Sequence, residues 1–170
     1  GAVYFNDEGN VTDCNFTANK ASLSGGAAYF QSNANVKNCN FTGNNAKNGG
    51  AILSSPMCYA IVAGCVFTGN SAFNGGAVNL YSGSIEDCDF TSNSATNAGG
   101  AAVFSEEGRL AYCNFEANIA SKGGAVSMFT GNVENCNFTG NNATMGSAIN
   151  CNGFSHTNIS NSCFLNNRAN

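Results

Sequence analysis

One motif, Phe-x-x-Asn, recurs along the whole chain at intervals of 23 to 26 residues. It starts at seven phenylalanines, which are Phe16, Phe41, Phe67, Phe90, Phe115, Phe138 and Phe164. Each has an alanine five residues later, a β-branched residue or leucine five residues earlier and, in six of the seven repeats, a cysteine two residues earlier. Several columns that keep one register are the signature of a solenoid, in which each repeat buries its apolar face against the next.

The apolar residues within one repeat alternate with a period of two, which is typical of a strand with one buried face. Val78 and Leu80 lie two residues apart and face the same side of a strand, as do Cys14 and Phe16. Val11 lies three residues before Cys14 and would face the opposite side, so a bend is required at residues 12–13. A third short strand is expected near Val11. The sequence therefore predicts an all-β, right-handed parallel β-helix of the pectin-lyase type with about seven coils of about 24 residues.

We interpret residues 1–170 as a single β-helix segment. Its coil blocks are expected to end near residues 22, 47, 73, 96, 121, 144 and 170. Gly1 begins inside a Gly-Gly-Ala block, and no capping element is recognisable at either end, which favours a fragment of a longer repeat protein. The phenylalanines and cysteines are expected to stack like on like inside the coil. The motif asparagine is expected to form an internal amide ladder.

Nine cysteines in a secreted chain could indicate disulfides. Residues one coil apart lie ~4.8 Å apart, inside the disulfide-compatible range, so bridging stays open as an alternative. Stacked side chains point the same way, which favours buried free thiols. Cys58 falls in an irregular segment, residues 54–60, and Cys151 replaces an inward phenylalanine. Neither has zinc-ligand spacing, so no metal or other cofactor is expected.

The distribution of charged and apolar residues argues against nucleic acid and membrane as partners. The chain has a net charge of −4 and only six basic residues, which form no cluster, so nucleic-acid binding is not expected. No apolar run approaches the ~18 residues of a membrane span, so membrane insertion by this segment is not expected.

Enzymatic activity is not expected. His156 is the only histidine, so no serine or cysteine triad can be assembled, and a surface loop is its simplest role. Many β-helices degrade polysaccharides with a cluster of acids on one face. The best cluster here is Asp89 with Glu116, with Arg109 expected close by, and it is sparse.

The residues beside each Phe point outward and form two columns. The candidate ligand positions on them are Asn15, Thr17, Asn40, Thr42, Thr68, Thr91, Asn137 and Thr139. Threonine suits exposed strands in any case. Regular Thr columns also suit ice, although Val66, Asp89 and Glu116 interrupt them, and stacked amides and hydroxyls suit a carbohydrate. Asn15, Asn40 and Asn137 lie in sequons on this face and are candidate N-glycosylation sites.

Gly-Gly-Ala followed by an aliphatic residue, as at residues 49–52, combined with Phe-x-x-Asn, as at residues 67–70, resembles the repeats of chlamydial polymorphic membrane proteins. It also resembles β-helical adhesin-like proteins of methanogenic archaea. The resemblance covers the whole chain and implies a secreted or surface-anchored, extracellular β-helix.

The expected function is therefore a non-catalytic adhesin, passenger domain or filament-forming structural element, in a secreted glycoprotein. Its partner would be a carbohydrate, a receptor on a host or other cell, or further copies of itself in a fibre. A carbohydrate-binding or polysaccharide-degrading β-helix is the alternative, and an ice-binding surface is the third.

Overall fold

The computed structural model describes residues 1–153 and 156–169. They form 23 strands, with no helix among the described residues. In chain order the strands are β1 (Val3–Phe5), β2 (Gly9–Thr12), β3 (Asn15–Thr17), β4 (Ala28–Phe30), β5 (Ala34–Lys37), β6 (Asn40–Thr42), β7 (Ile52–Ser54), β8 (Tyr59–Ala63), β9 (Val66–Thr68), β10 (Ser71–Asn74), β11 (Val78–Leu80), β12 (Ser82–Glu86), β13 (Asp89–Thr91), β14 (Ser94–Ala98), β15 (Ala102–Ala111), β16 (Asn114–Glu116), β17 (Val126–Glu134), β18 (Asn137–Thr139), β19 (Asn142–Ala143), β20 (Ile149–Cys151), β21 (Thr157–Ser160), β22 (Cys163–Leu165) and β23 (Arg168–Ala169).

All strand pairs are parallel, and each joins equivalent residues of consecutive repeats. The Phe-x-x-Asn strands form one seven-stranded sheet in the order β3-β6-β9-β13-β16-β18-β22. A twelve-stranded sheet holds two further strand columns, which the long strands β15 and β17 join, and the remaining four strands form the two-stranded sheets β10-β14 and β19-β23. One strand per repeat in the seven-stranded sheet makes about seven turns, so the prediction of a parallel β-solenoid is confirmed. The third strand column predicted near Val11 is also present, beginning with β2 and β5.

The bends between strands use left-handed backbone conformations. Asp13, Asn38 and Asp87 have φ of 53°, 53° and 50°, at the bend that the parity change at Val11 predicted. Asn and Asp tolerate this region because their short side chains hydrogen-bond locally. The bend reverses the direction of the side chains, so that residues on both sides of it face the core.

The predicted phenylalanine stack runs through the seven-stranded sheet. We call it the phenylalanine spine: Phe16, Phe41, Phe67, Phe90, Phe115, Phe138 and Phe164. Neighbouring ring centroids are 4.7–5.0 Å apart, and the ring planes lie within 8° of parallel. The five central rings are almost completely buried. The spacing of the rings follows the strand spacing, so the coil geometry sets the stack.

The predicted internal amide ladder follows the spine, one turn further along each coil. It consists of Asn19, Asn44, Asn70, Asn93, Asn118, Asn141 and Asn167. The Nδ2 of each of the first six donates to the Oδ1 of the next coil at 2.9–3.1 Å, and that Oδ1 also accepts the backbone N–H of the preceding asparagine. The buried amides are therefore satisfied from both sides.

All nine cysteines are free thiols, as favoured from the sequence. In the cysteine column the thiol of Cys65 accepts the backbone N–H of Cys39 at 3.4 Å and lies 3.3 Å from the carbonyl of Ala63, its acceptor. Ser162 takes the last place of the column and accepts the N–H of Cys136, so Cys163 is displaced outward. Burial raises the pKa of the Cys39 thiol to about 11.

We expect thiol reactivity to separate the cysteines into two groups. Cys14, Cys151 and Cys163 are exposed, and the other six are buried. In the native chain at about pH 8, three thiols should react quickly with an aromatic disulfide reagent, and all nine should react after denaturation, since the thiolate is the nucleophile and must be accessible. Mass spectrometry of the labelled peptides identifies them. Fast reaction of Cys65 in the native state would contradict a closed column.

The raised pKa of Cys39 also predicts an alkaline loss of stability. Below its ordinary pKa of 9.0 the thiol is neutral in both folded and unfolded chains, so its contribution is fully present. Between 9.0 and about 11 the unfolded thiol ionises first, and the free energy of unfolding falls. Denaturant titrations at about pH 8 and about pH 10.5 should show a smaller loss for Cys39→Ala than for the unchanged chain. Equal losses would show that Cys39 does not contribute.

Gly75 and Gly69 offer a matched test of the Gly-Gly corner. Both have φ of 62°, but a Cβ at Gly69 would meet nothing within 4 Å, whereas one at Gly75 would collide with the carbonyl of Val78. Gly69→Ala should lower the free energy of unfolding by only about 1 kcal/mol, the strain of a left-handed alanine. Gly75→Ala should lower it by about 3 kcal/mol, because overpacking is added. Equal losses in chemical denaturation would mean that φ alone requires glycine there.

Candidate ligand-binding face

The outer side of the seven-stranded sheet is the polar surface that the sequence predicted. We call it the outer Asn/Thr face. Its amide row is Asn15, Asn40, Val66, Asp89, Asn114 and Asn137, and its threonine row is Thr17, Thr42, Thr68, Thr91, Glu116 and Thr139. Each row follows one column of the register, because strand residues on either side of the buried phenylalanine point to solvent.

The amide row is partly bonded to itself. Asn40 Nδ2 donates to Asn15 Oδ1 at 2.9 Å, and Asn137 Nδ2 donates to Asn114 Oδ1 at 2.9 Å. Val66 interrupts the row and separates an N-terminal pair from a C-terminal group. These amides are exposed, so each still has lone pairs or N–H groups for water or a ligand.

The threonine row has unused hydrogen-bonding capacity. In residues 1–153 and 156–169 the hydroxyls of Thr17, Thr42, Thr68, Thr91 and Thr139 have no protein partner, and these side chains are exposed or half-buried. Successive hydroxyls repeat with the strand spacing of ~4.8 Å. A shallow depression of about 360 Å³ on this face is lined by Asn114, Glu116, Asn137 and Thr139, with Phe115 at its base. The rows can therefore donate and accept hydrogen bonds to a polar ligand that lies along the solenoid.

The two acidic residues of the outer Asn/Thr face, Asp89 and Glu116, are not paired with Arg109. Asp89 lies opposite Asn114 and accepts its Nδ2 at 2.8 Å, while Glu116 lies opposite Thr91, diagonally from Asp89. The expectation that Arg109 approaches this pair is wrong. Arg109 is on β15 of the other sheet, where it forms ion pairs with Glu86 and Glu134 of the neighbouring coils. It faces a different side of the coil because the bend at residues 112–113 lies between it and the outer Asn/Thr face.

The remaining candidates are placed as follows. Asn15, Asn40 and Asn137 are exposed, as glycosylation requires, and their modification stays a prediction. His156 is exposed and contacts Thr130 through its backbone carbonyl. The irregular segment is shorter than expected, since Tyr59 and Ala60 belong to β8.

The described residues contain no group of three or more His, Cys, Asp or Glu side chains that could hold a metal ion. Within the same ranges no helix is long and apolar enough to cross a membrane.

Sequence reasoning missed a groove on the other sheet. It is lined by Tyr59, Ile61, Asn35, Asn33, Asn10 and Glu8, and we call it the Tyr59 groove. A signal was present, because the register places Ile61 where the two preceding coils have Asn10 and Asn35. An apolar residue in a column that is otherwise asparagine indicates where the groove lies.

The class of protein that this architecture defines is a parallel β-solenoid with a mostly polar outer face. Residues 38–55 match the family model described as the Chlamydia polymorphic membrane protein (Chlamydia_PMP) repeat. This range holds one motif, Phe41 to Asn44, and the following Gly49-Gly50-Ala51 block, so the resemblance noted from the sequence is confirmed there. No curated protein and no solved structure matches the chain.

Proposed function

We propose that this chain is a non-catalytic segment of an adhesin-like protein at the cell surface. In this role, the outer Asn/Thr face binds a carbohydrate or a receptor on another cell. The observation that carries the proposal is the row of unpartnered threonine hydroxyls, held at the strand spacing by a fully stacked core. The polymorphic membrane protein repeat at residues 38–55 suggests a surface-associated protein and so supports the location.

We also propose the handedness of the coil and its type. The coil is right-handed and of the pectin-lyase type, because crossovers between parallel strands are right-handed in almost all cases. A crystal structure of the chain tests the handedness directly, and a left-handed coil would contradict it.

The non-catalytic part of the proposal is supported by the separation of the charged groups. The Asp89 carboxylate is already bonded to Asn114, and Arg109 is engaged by two glutamates on the other sheet. Incubation with a panel of polysaccharides should release no reducing ends and no unsaturated products. Turnover that disappears in Asp89→Ala or Glu116→Ala would instead support the polysaccharide-degrading alternative.

Adhesion is tested with charge-matched variants of the chain on coated beads. Lysines that replace Thr42 and Thr68 place two long cations on the outer Asn/Thr face, whereas lysines that replace Thr12 and Thr96, also exposed, lie off it. Binding to cells or to a glycan array should fall at least tenfold for the first pair and stay unchanged for the second. Equal binding by both pairs would show that this face is not the adhesive surface.

Surface location and the two remaining alternatives need separate measurements. Antibodies should label intact cells as strongly as permeabilised ones, and labelling only after permeabilisation would contradict the proposed location. A fibre-forming role would require concentration-dependent polymers in light scattering. Ice binding would require thermal hysteresis, and we expect none because Val66, Asp89 and Glu116 interrupt the flat rows.

A further inference from the structure

The Tyr59 groove lies on the twelve-stranded sheet, away from the outer Asn/Thr face. Asn10, Asn35 and Ile61 occupy one outward column of β2, β5 and β8. Tyr59 begins β8 directly after the irregular residues 55–58, and its backbone N–H donates to Asn33 Oδ1 at 2.9 Å. That bond fixes the start of the strand and leaves the Tyr59 side chain 49% exposed.

The Asn35 amide in this groove lacks the partner that comparable amides have. In other outward asparagine columns, Nδ2 of one coil donates to Oδ1 of the coil before it, as Asn40 does to Asn15 and Asn158 to Asn132. The coil after Asn35 supplies Ile61, whose side chain has no donor, and Asn35 Oδ1 is buried without a hydrogen bond to any residue that the structure describes. A buried acceptor without a partner has lost its bond to water and gained none in return, so this amide gains by turning toward a hydrogen-bonding ligand.

We propose that the Tyr59 groove is a binding site for a single neutral pyranose ring. An exposed tyrosine offers an apolar ring face for the C–H face of a sugar, and its hydroxyl stays in water. The groove is also lined by residues whose amide and carboxylate oxygens can accept hydrogen bonds from sugar hydroxyls, namely Asn10, Asn33, Asn35 and Glu8. This combination of an aromatic platform and a few polar groups is typical of small-molecule sites.

The size and charge of the groove narrow the ligand class. Its volume of about 270 Å³ lies just below the ~300 Å³ lower limit of pockets for drug-sized ligands, which favours one ring over an extended chain. Among the described residues that line the groove, Glu8 is the only charged one, and none is a lysine or arginine. An acidic sugar would therefore meet a carboxylate in the lining, whereas Lys37, two residues beyond Asn35 on the same outward face of β5, lies outside it, which disfavours uronic and sialic acids.

The experiment is an NMR titration of the labelled 170-residue chain with methyl glycosides of glucose, galactose and mannose, and with methyl glucuronide. At least one neutral glycoside should cause saturable shifts at residues 33–35 and 59–61, and the glucuronide should bind at least fivefold more weakly. Tyr59→Ala should weaken binding at least tenfold. Tyr112→Ala, which removes a 58% exposed tyrosine outside the groove, should leave binding unchanged.

Asn35→Val separates binding from folding. It removes the unpaired acceptor and suits a strand, so the chain should unfold at the same or a higher denaturant concentration while binding weakens severalfold. No saturable shift with any neutral glycoside, or undiminished binding by both Tyr59→Ala and Asn35→Val, would overturn the proposal. Because Thr42 and Thr68 do not line the groove, lysines at these two positions should leave sugar binding unchanged even if they abolish adhesion.

Discussion

Asn93→Leu should lower the free energy of unfolding by about 4 kcal/mol or more, which is a large part of the ~5–15 kcal/mol total of a typical domain. Asn93 is completely buried in the internal amide ladder. Its Oδ1 accepts both the N–H and the Nδ2 of Asn70, and its Nδ2 donates to the Phe67 carbonyl and to Asn118 Oδ1. Leucine fills the space but leaves the backbone N–H of Asn70, one Nδ2 hydrogen of Asn70 and the Phe67 carbonyl without this partner, while Asn118 Oδ1 keeps only the backbone N–H of residue 93. Each orphaned group costs about 1–3 kcal/mol, because no water reaches it.

The matched control is Asn40→Leu, in which an exposed amide of the outer Asn/Thr face is lost. Its single side-chain bond, to Asn15, is exposed to water, so the expected loss is within about 0.5 kcal/mol. Guanidinium denaturation followed by circular dichroism measures both variants. If the two losses were similar, the internal ladder would not be a source of stability.

Phe67→Ala should lower the free energy of unfolding by about 3–5 kcal/mol. The Phe67 ring is 0% exposed and lies 4.8 Å from the Phe41 ring and 4.7 Å from the Phe90 ring, measured between centroids. Its removal leaves a cavity within the spine, and the rings on either side cannot close it, because the backbone spacing of the coils holds them apart.

Phe73→Ala serves as the control, since the Phe73 side chain is 48% exposed and outside the core. It should lose less than about 1 kcal/mol in the same titration. A Phe67→Ala variant that unfolds at the same denaturant concentration as Phe73→Ala would show that the coils are not held by the spine.

The interior of the solenoid was predictable because it depends on repetition. A side chain at the same place in every repeat must stack on its own kind once the strands pair in register, so the Phe, Cys and Asn columns together specified strand direction, register and the inward face. Asp13 and Asn38 at the first bend also followed from the change of parity after Val11. Positions of the two outward rows followed from the same alternation.

A turn was expected at the motif asparagine, but the left-handed residue before it was not predicted, although every coil has one. Ala18, Ser92 and Ala117 are left-handed there, with φ of 56°, 55° and 53°. Gly43, Gly69 and Gly140 occupy the same place in other coils and were the available signal. Glycine alone would have indicated a left-handed turn, but alanine and serine at the same place hide that signal. They adopt positive φ because the internal amide ladder imposes the turn on whichever residue precedes the asparagine.

By itself the sequence determined the repeat, the parallel register and the polar character of the outer Asn/Thr face, because these follow from the order of residues within one coil. Only the tertiary structure decided which outward side chains become neighbours across coils of unequal length. Insertions of one or two residues, as before Tyr59, move local contacts without changing the register of the core. Thus Arg109 bonds Glu86 and Glu134 instead of approaching Asp89, and Tyr59 adjoins an unpaired Asn35. The core columns are fixed by packing at the strand spacing, whereas surface contacts depend on how each loop ends.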